Sequence, residues 1–170
     1  MHLERRYQAI IKAPFGVLGI CCEDDMLTGI DFLPLDAVPQ AAVDPFAQTV
    51  CKQLASYFED ADFQFSLPLK LKGTAHQQQV WQLMCAIPCG QTRQYGELAR
   101  KLPSSPRAVG QACGANPIPI VIPCHRVVSK AGMGGFAHQR GGYELNIKRW
   151  LLSHEAALSF SLTNVASGGA

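Results

Sequence analysis

The sequence predicts a mixed α/β protein in two parts: a small β-sheet with one helix, then a mainly helical half that contains a helix-turn-helix. Two β-prone runs lie close together at residues 16–22 and 26–32, whereas closely spaced helical patterns follow Gly73. The 170 residues have room for one ordinary domain or two small ones. We therefore expect a first domain at residues 1–70, a second at residues 71–155 and a disordered tail at residues 156–170.

Composition excludes several classes of protein. A hydrophobic content of 48% is typical of a soluble globular protein, and no run approaches the roughly 18 apolar residues of a membrane-spanning helix. The N-terminus lacks the apolar core and cleavage site of an export signal. Because seven cysteines is an odd number, we expect free thiols in a reducing compartment, the cytoplasm or, in a eukaryote, the nucleus.

Charge divides unevenly between the two halves. Residues 1–70 carry five basic and ten acidic side chains, a net charge of −5, whereas residues 71–170 carry ten basic and three acidic ones, a net charge of +7. A basic half attracts polyanions, and nucleic acid is the usual partner of such a surface. Uneven division by chance is the alternative.

Short patterns predict the elements of the acidic half. We expect a hairpin from residues 16–22 and 26–32, with a neighbouring strand at residues 7–11. Asp44 and Pro45 are typical of an N-cap and a first helical position, so one helix should begin there.

The cysteines of this half do not have metal-ligand spacing. A zinc site needs further ligands at a recognisable interval, such as a Cys-x-x-Cys pair, and none accompanies these residues. We therefore expect no metal site, and ordinary buried or half-buried thiols at Cys21, Cys22 and Cys51.

Three helices are predicted in the basic half. Thr74 and Gln77 form the pattern of a capping box, so the first helix should begin there. A short second helix starts near Tyr95, and a third has Ser105 as N-cap and Pro106 at its first position. Two helices joined by a short turn have the layout of a helix-turn-helix.

The third helix has a face of small residues. Gly110 and Gly114 lie about one turn apart, on the side that also carries Arg107. Each glycine inside a helix lowers its stability by about 1 kcal/mol relative to alanine, so the pair requires a reason. Close packing against another helix is one reason, and the approach of a nucleic-acid backbone is the other.

A cysteine, a histidine and an arginine stand side by side at residues 124–126, after an apolar run that prolines interrupt. Cys124 could be a small buried hydrophobe, which is the common role of such a cysteine. It could instead be a nucleophile, and His125 would then have to help remove the thiol proton. Because neighbouring side chains of a strand point to opposite faces, that partnership requires a turn here, which Pro123 favours.

These residues resemble those of the O6-alkylguanine-DNA alkyltransferases, also called methylated-DNA–protein-cysteine methyltransferases. The similarity rests on motifs in fixed order: Arg-Ala-Val-Gly at 107–110, Asn-Pro at 116–117, Pro-Cys-His-Arg-Val at 123–127 and Trp-Leu-Leu-Ser-His-Glu at 150–155. The resemblance implies a ribonuclease-H-like N-terminal domain followed by a winged-helix-type DNA-binding domain that holds the nucleophile.

The resemblance also implies a reaction and its catalytic residues. Cys124 would take a methyl or larger alkyl group from O6 of guanine, or from O4 of thymine, in one irreversible transfer that needs no cofactor. His125 would act as a water-mediated base and Glu155 would orient the imidazole. Asn116 would brace the turn beside the site, and Tyr95 would help rotate the nucleotide and hydrogen-bond the guanine.

The implied partner is double-stranded DNA that contains O6-alkylguanine, bound through its minor groove by a monomer away from membranes. Arg107 would fill the place of the extruded nucleotide in the base stack. Gly110 and Gly114 would let the helix backbone come close to the groove.

The implied guanine pocket is formed by Val127, Phe136 and Ala137, the last through its backbone N–H. The loop here is longer than the family pattern by about three residues, and Phe136 lacks the hydroxyl of the family's tyrosine.

Two other classes of protein share part of this pattern. A pure DNA-binding regulator would use the helix-turn-helix but would not need Cys124, His125 and Glu155 together. A cysteine hydrolase would use the Cys–His pair but would not need Arg107 or the small helix face.

Overall fold

A computed structural model describes residues 6–135 and 142–156 of the chain. In chain order these residues form β1 Ala9–Ala13, β2 Gly16–Glu23, β3 Met26–Leu33, α1 Pro45–Glu59, α2 Ala75–Cys85, β4 Arg93–Gln94, α3 Tyr95–Lys101, α4 Pro106–Gly114, a 3₁₀ turn Cys124–Arg126, β5 Val127–Val128 and α5 Tyr143–His154. The predicted fold class is confirmed, since a small sheet with one helix precedes a mainly helical half. The predicted tail lies outside the described residues, except for Ala156.

The chain divides into two units, and one short segment of the second half belongs to the first unit. The first unit contains the described residues up to Lys72 and also Pro117–Val121, while the second contains Gly73–Asn116 and the described residues from Ile122 onward. In the first unit, Ile30 N–H donates to the carbonyl of Pro117 at 3.0 Å. The sequence pattern did not predict this return of the chain.

None of the described helices is long and apolar enough to cross a membrane.

The first unit is built on an antiparallel sheet in the order β1-β2-β3. The predicted hairpin is confirmed, and Asp24 and Asp25 form its turn with φ values of 54° and 55°. The predicted strand at residues 7–11 is wrong by two residues, because pairing with β2 runs from Ala9 opposite Ile20 to Ala13 opposite Gly16.

Tyr7 lies before the paired residues of β1 and contacts the sheet through its side chain. A Cβ atom on Gly19 would lie 2.5 Å from the Tyr7 ring, so the ring occupies the space that glycine leaves open. The Tyr7 hydroxyl donates to Asp31 at 2.8 Å.

The predicted helix starts are confirmed. Asp44 accepts a hydrogen bond from the N–H of Ala47 at 3.0 Å, Thr74 and Gln77 form both bonds of a capping box, and Ser105 accepts from Ala108 at 3.1 Å. Each of these side chains satisfies a backbone donor that the first turn of a helix leaves without a partner.

The second unit positions α4 through α2 and α3. The indole Nε1 of Trp81 on α2 donates to the carbonyl of Ala112 on α4 at 2.8 Å, and Trp81 is 1% exposed. The buried side of α4 consists of Val109, Ala112 and Cys113. The helix is thereby held by one face, and its other face is directed away from the core.

Trp81→Phe should lower the free energy of unfolding by about 1–3 kcal/mol, because the buried carbonyl of Ala112 loses its donor. Trp150→Phe is the matched control, since Trp150 is only half-buried and stacks on His154 at a centroid distance of 4.6 Å. Urea unfolding followed by circular dichroism measures both variants. Equal losses would contradict a special role for the indole N–H.

Candidate active site

Cys124, His125 and Arg126 form a 3₁₀ turn and not a strand. The turn follows Pro123, and the N–H of Val127 closes it by donating to the carbonyl of Cys124. With three residues per turn, successive side chains are rotated by about 120°. A partnership between Cys124 and His125 requires the chain to turn here, and the structure has that turn.

The imidazole of His125 is fully buried and is bonded to Glu155, thirty residues further along the chain. His125 Nε2 lies 2.9 Å from Glu155 Oε2. Arg126 binds the same carboxylate, with Nε 2.9 Å from Oε1 and Nη2 2.9 Å from Oε2. The guanidinium favours the ionised form of the carboxylate, which can only accept, so the proton of the His125–Glu155 contact is assigned to Nε2.

The other ring nitrogen of His125 is thereby left as a proton acceptor. Nδ1 is buried and has no hydrogen-bond partner among the described residues. Burial lowers the pKa of His125, and the Glu155 carboxylate opposes this effect without cancelling it. The ring is therefore neutral at neutral pH, with a lone pair available at Nδ1.

The thiol of Cys124 is 6% exposed. Burial raises its pKa to about 11, although a hydrogen bond from the side chain of Asn116 and the positive charge of Lys148 favour the thiolate. Cys124 is consequently a thiol at neutral pH, and it would need a base to act as a nucleophile there.

Asn116 connects the end of α4 to the Cys124 turn. Its Nδ2 donates to the carbonyl of Ile122 at 2.8 Å, two residues before the cysteine. The same side chain is hydrogen-bonded to the Cys124 thiol, so it contacts both the thiol and the backbone just before it.

Lys148 is a site residue that sequence reasoning missed. It is fully buried on α5, and its Nζ donates to the carbonyls of Val127 at 2.8 Å, Met133 at 2.5 Å and Gly135 at 2.8 Å. Burial lowers its pKa to about 8, while the neighbouring thiols Cys124 and Cys113 favour the charged form. A signal was present, since Lys148 precedes Leu151 and Leu152 by three and four residues on the apolar stripe of α5.

Tyr95 opens α3 and lies between two glycines. A Cβ atom on Gly110 of α4 would lie 4.0 Å from its ring, and one on Gly134 would lie 3.0 Å from the ring and the hydroxyl. Nothing described lies closer than 4.0 Å to the Cβ position of Gly110, so close packing against a neighbouring helix does not explain that glycine.

The predicted DNA-binding residues lie on the other side of α4. Arg107 and Gln111 are exposed, whereas Val109, Ala112 and Cys113 are buried. Seven residues separate Arg107 from Gly114, about 10 Å along the helix axis. Arg107 therefore belongs to the surface of α4 and is not part of the buried group around Cys124.

The predicted pocket residues are described only in part. Val127 is buried and pairs with Arg93 between the short parallel strands β5 and β4. Phe136 and Ala137 lie outside the described residues. Among the described residues, no His, Cys, Asp and Glu side chains are grouped so that they could hold a metal ion.

Comparison with known proteins identifies one family over both halves of the chain. Residues 6–71 match the ribonuclease-like domain of 6-O-methylguanine DNA methyltransferase, and residues 75–157 match its DNA binding domain.

Individual relatives cover the chain to different extents. A methylated-DNA–protein-cysteine methyltransferase of Methanosarcina mazei is 37% identical over 88% of this chain and 96% of the relative. The regulatory protein Ada of Salmonella typhimurium is 41% identical over 81% of this chain, which spans only 40% of that protein. The crystal structure of Mycobacterium tuberculosis OGT in complex with DNA is 37% identical, with a TM-score of 0.69 over 87% of this chain and 91% of that one.

Lys148→Met should make the Cys124 thiol harder to ionise, because the buried positive charge beside it is lost. Below about pH 8, where Lys148 is still charged, we expect the Cys124 thiol to react with methyl methanethiosulfonate roughly tenfold more slowly than in the parent protein, and the difference should shrink at higher pH. The measurement is the mass of the Cys124 peptide after timed exposure across a pH series. Lys130→Met removes an exposed lysine and is the charge-matched control. An unchanged pH dependence in Lys148→Met would show that the ammonium only braces the carbonyls.

Proposed function

The chain belongs to the 6-O-methylguanine DNA methyltransferase family, which transfers a methyl group from DNA to a cysteine of the protein itself, and we propose that Cys124 is that cysteine. One observation carries the assignment: the thiol is followed directly by an imidazole whose Nδ1 is buried, proton-accepting and without a partner among the described residues. The substrate we propose is O6-alkylguanine in double-stranded DNA, with O4-alkylthymine as a second.

The proposed reaction is a single displacement. His125 Nδ1 takes the thiol proton, directly or through a bridging water, while the sulfur attacks the alkyl carbon. The S–C bond forms as the C–O6 bond breaks, and the bonding electron pair leaves with the guanine, which then regains a proton. The product thioether has no ionisable proton, so the cysteine reacts once and the protein is used up.

Cys124 and His125 are neutral at rest, and in the proposed reaction they become charged only during transfer. A neutral thiol next to a neutral imidazole avoids placing an ion pair in a dry site, which desolvation would penalise. Glu155 stabilises the imidazolium that forms during transfer, and Lys148 stabilises the developing thiolate. Asn116 adds a hydrogen bond to the same sulfur.

DNA is the partner of the second half of the chain. We infer that α4 lies in the minor groove, because its outward face combines the exposed Arg107 with the unobstructed Gly110. Gly114 would extend the same small face. Tyr95, beside Gly110, would turn and hydrogen-bond the guanine after extrusion.

The guanine pocket is proposed at the loop that follows β5. Val127 would form the floor of the pocket, while Phe136 and the backbone N–H of Ala137 are proposed on the resemblance alone. The carbonyls of Met133 and Gly135 support this proposal, because Lys148 holds both of them at the entry to the loop. We propose that a monomer carries out the whole reaction.

The direct test is the intact mass of the protein after incubation with a duplex that contains one O6-methylguanine. We expect a gain of one methyl group per molecule at Cys124, and no gain for Cys124→Ser, which should still bind the duplex. Cys51→Ser is the matched control, since Cys51 lies on α1 in the first unit and should not affect transfer. Binding without a mass gain would favour a regulator, and repeated turnover of an ester would favour a hydrolase.

Arg107→Ala should separate extrusion from chemistry. If the guanidinium fills the base stack, transfer from duplex DNA should slow by roughly tenfold or more, because unstacking a base costs a few kcal/mol. Transfer from free O6-benzylguanine, which has nothing to unstack, should be unchanged. Single-turnover rates on both substrates make the comparison.

A mismatched or single-stranded lesion provides the control for Arg107→Ala, since less unstacking is needed there and the rate loss should shrink. A uniform loss of affinity for every duplex, with a shallower salt dependence, would instead indicate a phosphate contact. Equal losses on duplex and free base would contradict both roles.

A further inference from the structure

We propose that Arg126 is a positioning residue for the proton transfer: its guanidinium holds the Glu155 carboxylate as the acceptor for His125 Nε2–H, so that Nδ1 remains the proton-accepting atom of the ring. The proposal rests on the proposed function, in which His125 is the base. It concerns a residue that does not touch the substrate and acts through Glu155.

The guanidinium is anchored on two sides. Nε and Nη2 donate to the two oxygens of Glu155 at 2.9 Å each, and Nη1 donates to the carbonyl of Ile87 at 2.7 Å. Two parallel bonds to one carboxylate are the arrangement that the planar fork of arginine allows and the single ammonium of lysine does not. Ile87 is buried just after α2, so the carboxylate is fixed relative to a second element of the same unit.

Arg126 stabilises the charge of Glu155 in a site that is largely closed to water. The Glu155 side chain is 0% exposed and that of Arg126 is 14% exposed. A buried carboxylate that loses its paired cation favours the protonated form. A protonated carboxyl can donate to Nε2, and the neutral ring would then carry its proton on Nδ1, the atom that has to accept one. Arg126 therefore selects the tautomer of His125 through Glu155.

Arg126 also limits how strongly the site attracts a proton. The charged groups that act on the ring are Lys148 of α5, Glu155 just after α5 and Arg126 of its own turn. Cys124 precedes the ring in the same turn, and Cys85 at the end of α2 lies near Arg126. Glu155 raises the pKa of His125, whereas burial, Arg126 and Lys148 lower it. Without the guanidinium, the His–Glu pair loses a neighbouring positive charge and takes up a proton at higher pH, whichever group holds it.

Three variants test the proposal on the full chain. Arg126→Met keeps much of the side-chain length and removes the charge, while Arg126→Lys keeps the charge and removes the fork. Arg149→Met is the matched control, because Arg149 is exposed on α5 and its loss changes the net charge equally.

The first measurement is the nitrogen NMR spectrum of the His125 ring, followed between about pH 5 and pH 9 without substrate. In the parent protein and in Arg149→Met we expect a neutral ring protonated at Nε2 over the neutral range. In Arg126→Met we expect proton uptake about one unit higher, and in Arg126→Lys a smaller upward change. An unchanged tautomer and titration in folded Arg126→Met would overturn the proposal. If that variant does not fold, an unchanged titration in Arg126→Lys would overturn it.

The second measurement is the rate of transfer from free O6-benzylguanine across the same pH range. Arg126→Met should be slower by roughly tenfold on the acid side and should approach the parent rate as the pH rises, because one unit of pKa corresponds to a factor of ten in protonation. A loss of equal size at every pH would indicate a purely structural role and would also overturn the proposal.

Failure of the proposed function would look different. If the parent protein did not accept an alkyl group at Cys124, the function would be contradicted, and the NMR titration would still decide whether Arg126 selects the tautomer.

Discussion

The site depends on the hydrogen bonds that the Glu155 carboxylate accepts from His125 and Arg126. This carboxylate is buried at the end of α5. Arg126 binds both of its oxygens, which stabilises its charge in a dry interior. Its second role, as acceptor for His125 Nε2–H, follows from the same geometry. In the proposed reaction, the direction of proton transfer from Cys124 is therefore set by a group that need not touch the thiol or the substrate.

Burial is the second constraint, and it acts on acids and bases in opposite directions. It raises the pKa of Cys124 and lowers those of His125 and Lys148, so each group is moved toward its neutral form. Burial also raises the pKa of Cys113 to about 12 and that of Cys22 to about 11. Among the thiols, Cys124 differs because an imidazole with an available nitrogen follows it in the same turn.

One face of α4 packs against its own unit, and the other is the face that we propose for DNA. The inner face is held by Trp81 and the buried side chains, which leaves the outer face free of packing demands. Glycine at position 110 weakens the helix, yet no described neighbour needs the space. The cost is consistent with a partner that has to approach the backbone closely, as the DNA-binding proposal requires.

The sequence by itself determined the features that depend on a few neighbouring residues. Asp44, Thr74 and Ser105 predict their helix starts because a capping side chain bonds a backbone donor only two or three positions away. The hairpin, the helix-turn-helix and the presence of a Cys–His pair are local in the same sense.

Only the tertiary structure decided what meets across long separations. The bond between His125 and Glu155, the burial of Lys148 among three carbonyls and the return of residues 117–121 to the first unit each join distant segments. The resemblance implied the bond between His125 and Glu155. It did not imply the burial of Lys148, the return of residues 117–121 or the two hydrogen bonds from Arg126 to Glu155. Which polar atoms share a buried space depends on how whole elements pack, and a short pattern shows at most that a residue lies on the buried face of its own element.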